Sequence, residues 1–415
     1  MASSDSSAIA IVGGGLAGLC AALGCARTGR RVHLFAPDGP EDERTTAILV
    51  PTVEALRGWG VWDAIEPETA PLRTMRIIDG SRRLVRAPTV SFEAAEIGQS
   101  EFGRNVPNRV ATAALREALA TSPNVVVHPH EVEAVHHDGE GVRIVANGED
   151  VEVGLVVGAD GHRSIVRRAA NIGARSWSYP QAAIVTTFSH ERAHGDVSME
   201  FHTENGPATQ VPLPGDRSSL VWVTEPAEAQ RLASMDRAAL SSAVEERLAH
   251  TLGRVRVDGP VTSFPMRAML ADHYAGRRTV LVGEAAHAFP PIGAQGFNLT
   301  MRDVVDLVQL QHGAADPGSY EITGAYAQFR GRDASLRTFA VDALNRSLLS
   351  GLLPVQAAKA LGLGALKAVP PLRRAVMREG FQPRVTRMRS AADAANLGLA
   401  ALREAFRSGR ARRSG

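Results

Sequence analysis

Short apolar runs and glycine-rich breaks alternate along the first part of the chain. Residues 8–12 (AIAIV) form a continuous apolar run that reads as a buried strand, and Gly13-Gly14-Gly15 breaks it. Residues 16–27 are rich in Ala and Leu and read as a helix that stops at Thr28-Gly29. Residues 31–35 (RVHLF) read as a second strand. Strand, glycine turn, helix and strand in about 30 residues predict a βαβ unit of a parallel sheet.

Helical spacing predicts helices over 52–59 and 109–120, and strands are predicted over 72–79, 84–86, 125–128 and 131–136. Residues 141–145 and 151–157 alternate around Asn147-Gly148, which is a hairpin signal. From about residue 176 to 265 the pattern changes. Strand-like pieces at 183–188, 197–202 and 219–224 alternate with turns such as Asn205-Gly206-Pro207, and one polar helix follows over 236–252. Residues 278–282 return as a buried strand, 298–312 read as a long helix, and the remainder is mainly helical. The pattern predicts an α/β fold. A Rossmann-like domain takes 1–75, 101–175 and 269–340; an antiparallel β-sheet domain is interleaved as 76–100 and 176–268; and 341–415 form a helical C-terminal region.

Charge adds one feature. Over 415 residues the formal net charge is +2, so nothing global suggests nucleic acid. From Lys367 onward, however, Arg373, Arg374, Arg378, Arg384, Arg387, Arg389 and six further basic residues outnumber Glu379, Asp393 and Glu404. Such a tail suits anionic lipid, an acidic partner or a solvated end. Residues 344–366 are apolar but interrupted by Pro354 and several glycines. They read as an interfacial patch or as a helix pair packed on the core. The N-terminal residues lack the basic and long apolar regions of a signal peptide, and no stretch reaches the roughly 20 apolar residues of a membrane span. The expected location is cytoplasmic, with peripheral contact at the inner face of the membrane left open. Cys20 and Cys25, five apart on one predicted helix, point in different directions, so no disulfide is expected.

Three segments carry candidate chemistry. In Gly13-x-Gly15-Leu16-Ala17-Gly18 the first glycine lets the chain turn out of the strand, the second lets N–H groups approach a pyrophosphate, and the third lets the helix pack on the sheet. The acid that normally closes this unit on a ribose is replaced by Ala36; either Asp38 reaches back or that contact is missing. The second segment is Gly158-Ala159-Asp160-Gly161, with Ser164 in the first turn of a following helix. By itself it reads equally as a plain Asp-Gly turn. The third runs from Gly283-Glu284 through Pro291, Gly293, Gln295, Gly296 and Phe297 to Asn298, a Pro- and Gly-rich loop leading into a helix. Small residues there let a flat ring lie against backbone, and a helix N-terminus favours negative charge on it. His287 has no second His at zinc-pair spacing and reads as a loop-positioning residue; no metal is expected. His190, His194 and His202 read as core or solvated residues.

Together the three segments resemble the class A flavoprotein monooxygenases, which have the para-hydroxybenzoate hydroxylase fold. Thr45-Thr46-Ala47-Ile48, the run Leu56 to Trp62, and Phe289 to Leu299 with Arg302-Asp303 are most similar to the ubiquinone-biosynthesis hydroxylases. The resemblance implies an FAD-binding Rossmann-like domain, a substrate domain in the antiparallel sheet, and hydroxylation of the aromatic ring of a polyprenylated ubiquinone precursor through a flavin C4a-hydroperoxide. It implies O2 and NAD(P)H or another electron donor as co-substrates, and it admits a complex with other ubiquinone enzymes. A soluble aromatic substrate, or a non-catalytic flavin subunit, remains the alternative. On this resemblance Gly13, Gly15, Leu16, Ala17 and Gly18 hold the pyrophosphate. Arg44, Asn108, Arg109, Val132 and Asp160 touch FAD, and the stretch from Pro291 and Gly293 to Asn298 lines the isoalloxazine. Glu284 stands where the family usually has Asp, and Thr300 where relatives often have Gly.

Overall fold

A computed structural model of the chain defines residues 5–81, 86–139, 141–290, 295–331 and 353–381. Its first sheet is built on Asp5–Val12, which pairs in parallel with Val32–Phe35 on one side and Glu149–Gly158 on the other. Val125–His128 extends the sheet beyond Val32–Phe35, and Thr279–Leu281 beyond Glu149–Gly158, again in parallel. The register aligns the strand ends: Val12 lies beside both Phe35 and Gly158, Phe35 beside His128, and Gly158 beside Leu281. All three glycine-containing segments therefore leave the sheet at one edge, its carboxyl edge, where open α/β sheets bind ligands. Ile9, Ile11, Leu34, Val156 and Val280 are buried on this sheet, and Leu19 and Leu23 of the Leu16–Arg27 helix cover it. Full burial of each such side chain contributes about 1.5–3 kcal/mol. The predicted hairpin forms between Val142–Ala146 and Glu149–Gly158, with Asn147 and Gly148 both at positive φ. Cys20 and Cys25 are buried and unbridged.

The second sheet has nine strands and is largely antiparallel, with Thr74–Asp79 joining in parallel. Three features differ from the sequence reading. The piece expected at 183–188 is the end of a 17-residue strand, Ala174–His190, which is held along its length by Thr262–Ala271. Gly206–Leu213, part of which reads as turn, is a strand between Val197–Thr203 and Arg217–Thr224. Its prolines, Pro207 and Pro212, mask the alternation, because a proline within an apolar run argues against a strand interior. The one polar helix is two, Pro226–Ala233 and Arg237–Arg247; Pro226 opens the first, and Asp236 caps the second by accepting from the Ala239 N–H. These helices bury Leu232, Leu240 and Val244 against Phe188, Phe201, Leu220 and Trp222, giving the lobe its own core.

A three-stranded sheet joins the two units: Thr45–Leu49, Gly103–Pro107 and Ala70–Leu72. At the C-terminus, Leu353–Ala368 and Pro370–Phe381 are helices. The second is pinned by Arg373, which donates to the Glu96 carboxylate at 2.6 Å, and by Met377, buried with Ala94 and Phe102. The predicted strand at 84–86 and residues 344–352 and 382–415 fall largely or wholly outside the defined segments.

His33 and His128 lie on adjacent parallel strands, with His33 Nδ1 and His128 Nε2 3.0 Å apart, and the Phe35 ring stacks on His128. Burial, and then the neighbouring His128, push the His33 imidazole down to about 4. The folded state thus prefers neutral His33. Its stabilising effect is complete above the unfolded value near 6.5 and is lost as pH falls toward 4. Chemical denaturation at stepped pH should show stability declining over that interval, and His33→Gln should flatten the decline.

Candidate active site

The turn after the first strand is made possible by missing side chains. Gly13 has φ +126°, and a Cβ there would lie 2.2 Å from the Ala159 carbonyl oxygen; a Cβ on Gly18 would lie 1.9 Å from the Gly13 carbonyl oxygen. The first and second glycine segments therefore touch, backbone on backbone. Gly15 caps the Leu16–Arg27 helix with extended backbone, no side chain bonds to the helix end, and a Cβ on Gly15 would meet nothing within 4 Å. The first-turn N–H groups thus face open space, with Leu16 and Ala17 half-buried behind them. An uncapped helix N-terminus of this kind attracts an anion such as a pyrophosphate.

Asp38 makes no close contact with the glycine turn beyond its ion pair. Ala36 is buried, and the Asp38 side chain is 90% exposed, 3.5 Å from Arg116. A further acid, Asp42, engages two of the candidate residues. Its carboxylate accepts two bonds of 2.7 Å from Arg44 and one of 2.8 Å from Asn108 Nδ2. Burial works to raise Asp42, but the Arg44 and Asn108 bonds outweigh it and hold the carboxyl below its ordinary value. Arg44 is held above its ordinary range, first by Asp42, with the Glu284 carboxylate adding to it. Asn108 is buried and accepts from Thr46 Oγ1 at 2.6 Å, while Arg109 beside it is exposed. Asp42 was missed from sequence because it sits between Glu41 and Glu43 in a stretch without periodicity.

In the second segment, Asp160 Oδ2 accepts from the Ile165 N–H at 2.7 Å and the Val166 N–H at 3.3 Å. Its Oδ1 is buried and has no partner among the described residues. A buried carboxylate oxygen requires a donor, and a ribose hydroxyl or amine supplies one. Ser164 caps the helix by accepting from the Arg167 N–H. Arg167 donates to the carbonyl oxygens of His162 at 2.6 Å and Ala285 at 2.7 Å, so it ties the second segment to the third. Val132 opens the Val132–His136 strand and pairs with Ala146.

The third segment is organised by a residue 20 positions away. Asp303, fully buried on the Gln295–Gln311 helix, accepts from the Gly283 N–H at 3.0 Å, His287 Nε2 at 2.7 Å and Arg330 Nε at 2.6 Å. Burial works to raise its carboxyl, but His287 and Arg330 hold it below the usual carboxylate value. Glu284, next to the fixed Gly283, is exposed and near Arg44. Thr300 fills the space beside Gly283: a Cβ on Gly283 would meet its Oγ1 at 3.0 Å and the Ala17 Cβ at 3.4 Å. Asn298 is buried. Its Oδ1 accepts from the Leu49 N–H and the Thr52 hydroxyl, and its Nδ2 donates to the Ala47 carbonyl, so its side chain clamps the Thr45–Leu49 strand to the helix. Gln295 opens that helix, Gly296 is exposed with open space around it, and Phe297 packs on the core. Pro291 and Gly293 lie outside the defined residues.

The uncapped helix end, the glycine contacts and the unpartnered Asp160 oxygen fit a dinucleotide. A family model described as an FAD binding domain matches residues 6–316. The chain belongs to that family. It is an FAD-dependent monooxygenase. It is 35% identical to a ubiquinone hydroxylase of Rhodospirillum rubrum over 90% of this chain and 89% of that one. It is 32% identical to the 3-demethoxyubiquinol 3-hydroxylase of Escherichia coli over 89% of this chain and 97% of that one. In fold it matches p-nitrophenol 4-monooxygenase of Pseudomonas putida, with a TM-score of 0.74 at 19% identity, covering 91% of this chain and 98% of that one. HpxO of Klebsiella pneumoniae, solved with FAD and uric acid, matches with a TM-score of 0.73 at 16% identity over 91% and 97%.

Gly18→Ala must push the helix off the Gly13 carbonyl, and the purified protein should lack the visible absorption of bound flavin while remaining folded by circular dichroism. Asp303→Ala leaves Arg330 and His287 buried without their carboxylate and should destabilise the fold by about 3–5 kcal/mol in denaturant titrations. Because the folded-state carboxyl of Asp303 lies below its ordinary value of 3.8, the wild type should hold this contribution above about pH 4 and lose it on further acidification. Asp303→Asn should remove that acid limb.

Proposed function

We propose that this monooxygenase hydroxylates the aromatic ring of a polyprenylated ubiquinone precursor; two of its relatives are named a ubiquinone hydroxylase and a 3-demethoxyubiquinol 3-hydroxylase. In this reading Gly13, Gly15, Leu16, Ala17 and Gly18 hold the FAD pyrophosphate. Arg44, Asn108, Arg109, Val132, Asp160 and Glu284 hold its nucleotide and ribityl parts. The segment from Pro291 and Gly293 through Gln295, Gly296 and Phe297 to Asn298 lines the ring. Bound flavin, reduced by NAD(P)H or another donor, supplies the activation of O2; the protein supplies orientation and a dry cavity.

The observation that carries the substrate class is the charge pattern on one face of the nine-stranded sheet. Strand register puts Ala183, Val185, Thr187, Thr209, Val211, Leu213, Ser219, Val221 and Val223 on one side. That side meets the flavin unit, since Thr45 and Asn105 both donate to Ser219 Oγ. Across the segments 75–79, 198–202, 207–213, 217–223 and 183–189, the lone permanent cation on this side is Arg217, and it is bonded to Asp258 at 2.9 Å. A small aromatic acid needs a charged anchor; the other ionisable groups on this side, Asp79, Glu200 and His202, include no second permanent cation, and Val185, Val211 and Val221 offer apolar surface to a neutral ring with an apolar tail.

The same side continues at Met75, which packs beside Met377 of the Pro370–Phe381 helix. The outer surface of the two C-terminal helices exposes Leu361, Leu372 and Val376, with Lys367, Arg374 and Arg378 nearby also exposed. Apolar groups ringed by cations suit the surface of an anionic membrane, from which a polyprenyl substrate must come. No helix among the described residues is long enough and apolar enough to cross a membrane.

Expression in bacteria lacking one ubiquinone hydroxylase at a time should restore ubiquinone in one of those strains. Restoration in none, by a protein carrying FAD, would refute the reading. The purified protein should co-sediment with anionic liposomes and less so once residues after Gly380 are removed. Equal sedimentation of the two forms would separate the tail from membrane contact.

A further inference from the structure

Besides Arg217 with Asp258 at its exposed end, the flavin-facing side of the sheet carries an ionisable pair in contact that flavin binding does not use: Glu200 with His202. Glu200 and His202 are two apart on the Val197–Thr203 strand and so point to the same side. Glu200 lies across from Thr209, and Thr209 across from Val221, so the pair shares its side with Val211 and Ser219. The residues of opposite parity, Met199, Phe201, Ala208, Gln210, Leu220 and Trp222, are all buried in the lobe core. On the pair's own side Val185, Thr187, Glu200, Thr209, Val211 and Val221 are only half-buried, although the flavin unit stands over this side. That combination describes a cleft wall. By sheet geometry Glu200 lies about 12 Å from the Ser219 contact with the flavin unit, two strands across and two residues along.

His202 Nε2 is 2.5 Å from Glu200 Oε1, and Thr209 Oγ1 lies 3.5 Å from Glu200 Oε2. The His202 side chain is 6% exposed. Its Nδ1 is buried and meets no hydrogen-bond partner among the described residues. Asp79, the register neighbour of His202 on the adjacent strand, accepts from the Ser81 and Ala87 N–H groups. With Nε2–H donated to Glu200, Nδ1 carries a lone pair that only a ligand or a water can engage. A strand-edge ion pair needs no such vacancy; a base awaiting a proton does.

We infer that His202, oriented by Glu200, binds a ring hydroxyl of the substrate and takes its proton during hydroxylation. The inference rests on the aromatic substrate proposed above. The substrate O–H bond breaks, an Nδ1–H bond forms, and the electron pair stays on the ring oxygen. The resulting phenolate is richer in electrons at its ortho and para carbons, where an electrophilic oxygen adds. The imidazolium is stabilised by the Glu200 carboxylate, as in other carboxylate–imidazole bases, and returns its proton to water after turnover. Glu200 is a positioning residue, and His202 is the catalytic one.

The test uses the FAD-loaded full chain and 4-nitrophenol carrying an octyl group at carbon 2, which absorbs visible light only when ionised. At a pH where free probe is mostly protonated, the wild type should bind it and display the phenolate band. His202→Asn should keep its flavin spectrum and bind the probe in the neutral form. Glu200→Gln should give an intermediate phenolate yield, and turnover of a hydroxylatable phenol should fall by about 100-fold or more in His202→Asn. Phenolate formed as fully on His202→Asn as on the wild type would overturn the assignment. If His202→Asn does not fold, an undiminished phenolate band in Glu200→Gln overturns it instead. A wild type that does not take up the probe at all would sink the substrate reading itself, which distinguishes the two failures.

Discussion

The carboxylate of Asp303 is the point on which the cofactor edge of this protein depends. It has no solvent exposure, and isolated in such a place it would be costly by several kcal/mol. Three donors offset that cost, and each belongs to a different stretch of chain: the Gly283 N–H at the end of the last parallel strand, His287 in the loop beyond it, and Arg330 from the helical residues 320–331. One charge therefore fixes the turn that presents Glu284, the path of the loop toward Phe289, and the packing of a distant helix. The His287 ring, held by this bond, stacks on Phe289. A hydrophobic contact in the same position could fill the volume but could not set the angle of the Gly283 peptide.

The second constraint is register. Val12, Phe35, His128, Gly158 and Leu281 end their strands side by side, so segments nearly 270 residues apart converge without any of them being long. Backbone contact then replaces side chains. Gly13 touches Ala159, and Arg167 bonds the Ala285 carbonyl. The site is assembled from main chain held at short range, which is why its signature in sequence is glycine and not a constellation of reactive groups.

That signature was legible wherever the requirement is local. Gly13, Gly15 and Gly18 answer to a turn and a helix packing within six residues, and Asn147-Gly148 to a two-residue hairpin. Apolar spacing located the helix that begins at Asn108. What the chain hides is non-local. Thr45–Leu49 and Gly103–Pro107 are strands because they pair with each other, although Arg104 and Asn105 give the second no alternation to read. Asp42 looks like any acid of an acidic loop until folding brings Arg44 and Asn108 to it. Thr300 is accommodated because Gly283 opposite it has no side chain.

The substrate lobe follows a different logic from the cofactor edge. Its sheet has two unlike sides: one forms a closed apolar core with two helices, and the other, which mixes apolar and polar residues, is left half-open toward the flavin unit. Several polar groups on the open side are bound to one another or to the flavin unit: Ser219 with Asn105 and Thr45, Arg217 with Asp258, Glu200 with His202. The first pairing joins the units, and the second sits at the exposed end of the sheet. The first leaves the buried Asn105 Oδ1, and the third the buried His202 Nδ1, without a partner among the described residues. A wall that is otherwise apolar can orient a long neutral molecule only weakly, because apolar contact has no direction. A single polar contact at one point on such a wall adds the direction that apolar contacts lack, and the same side continues past Met75, which packs against the cluster that holds Met377.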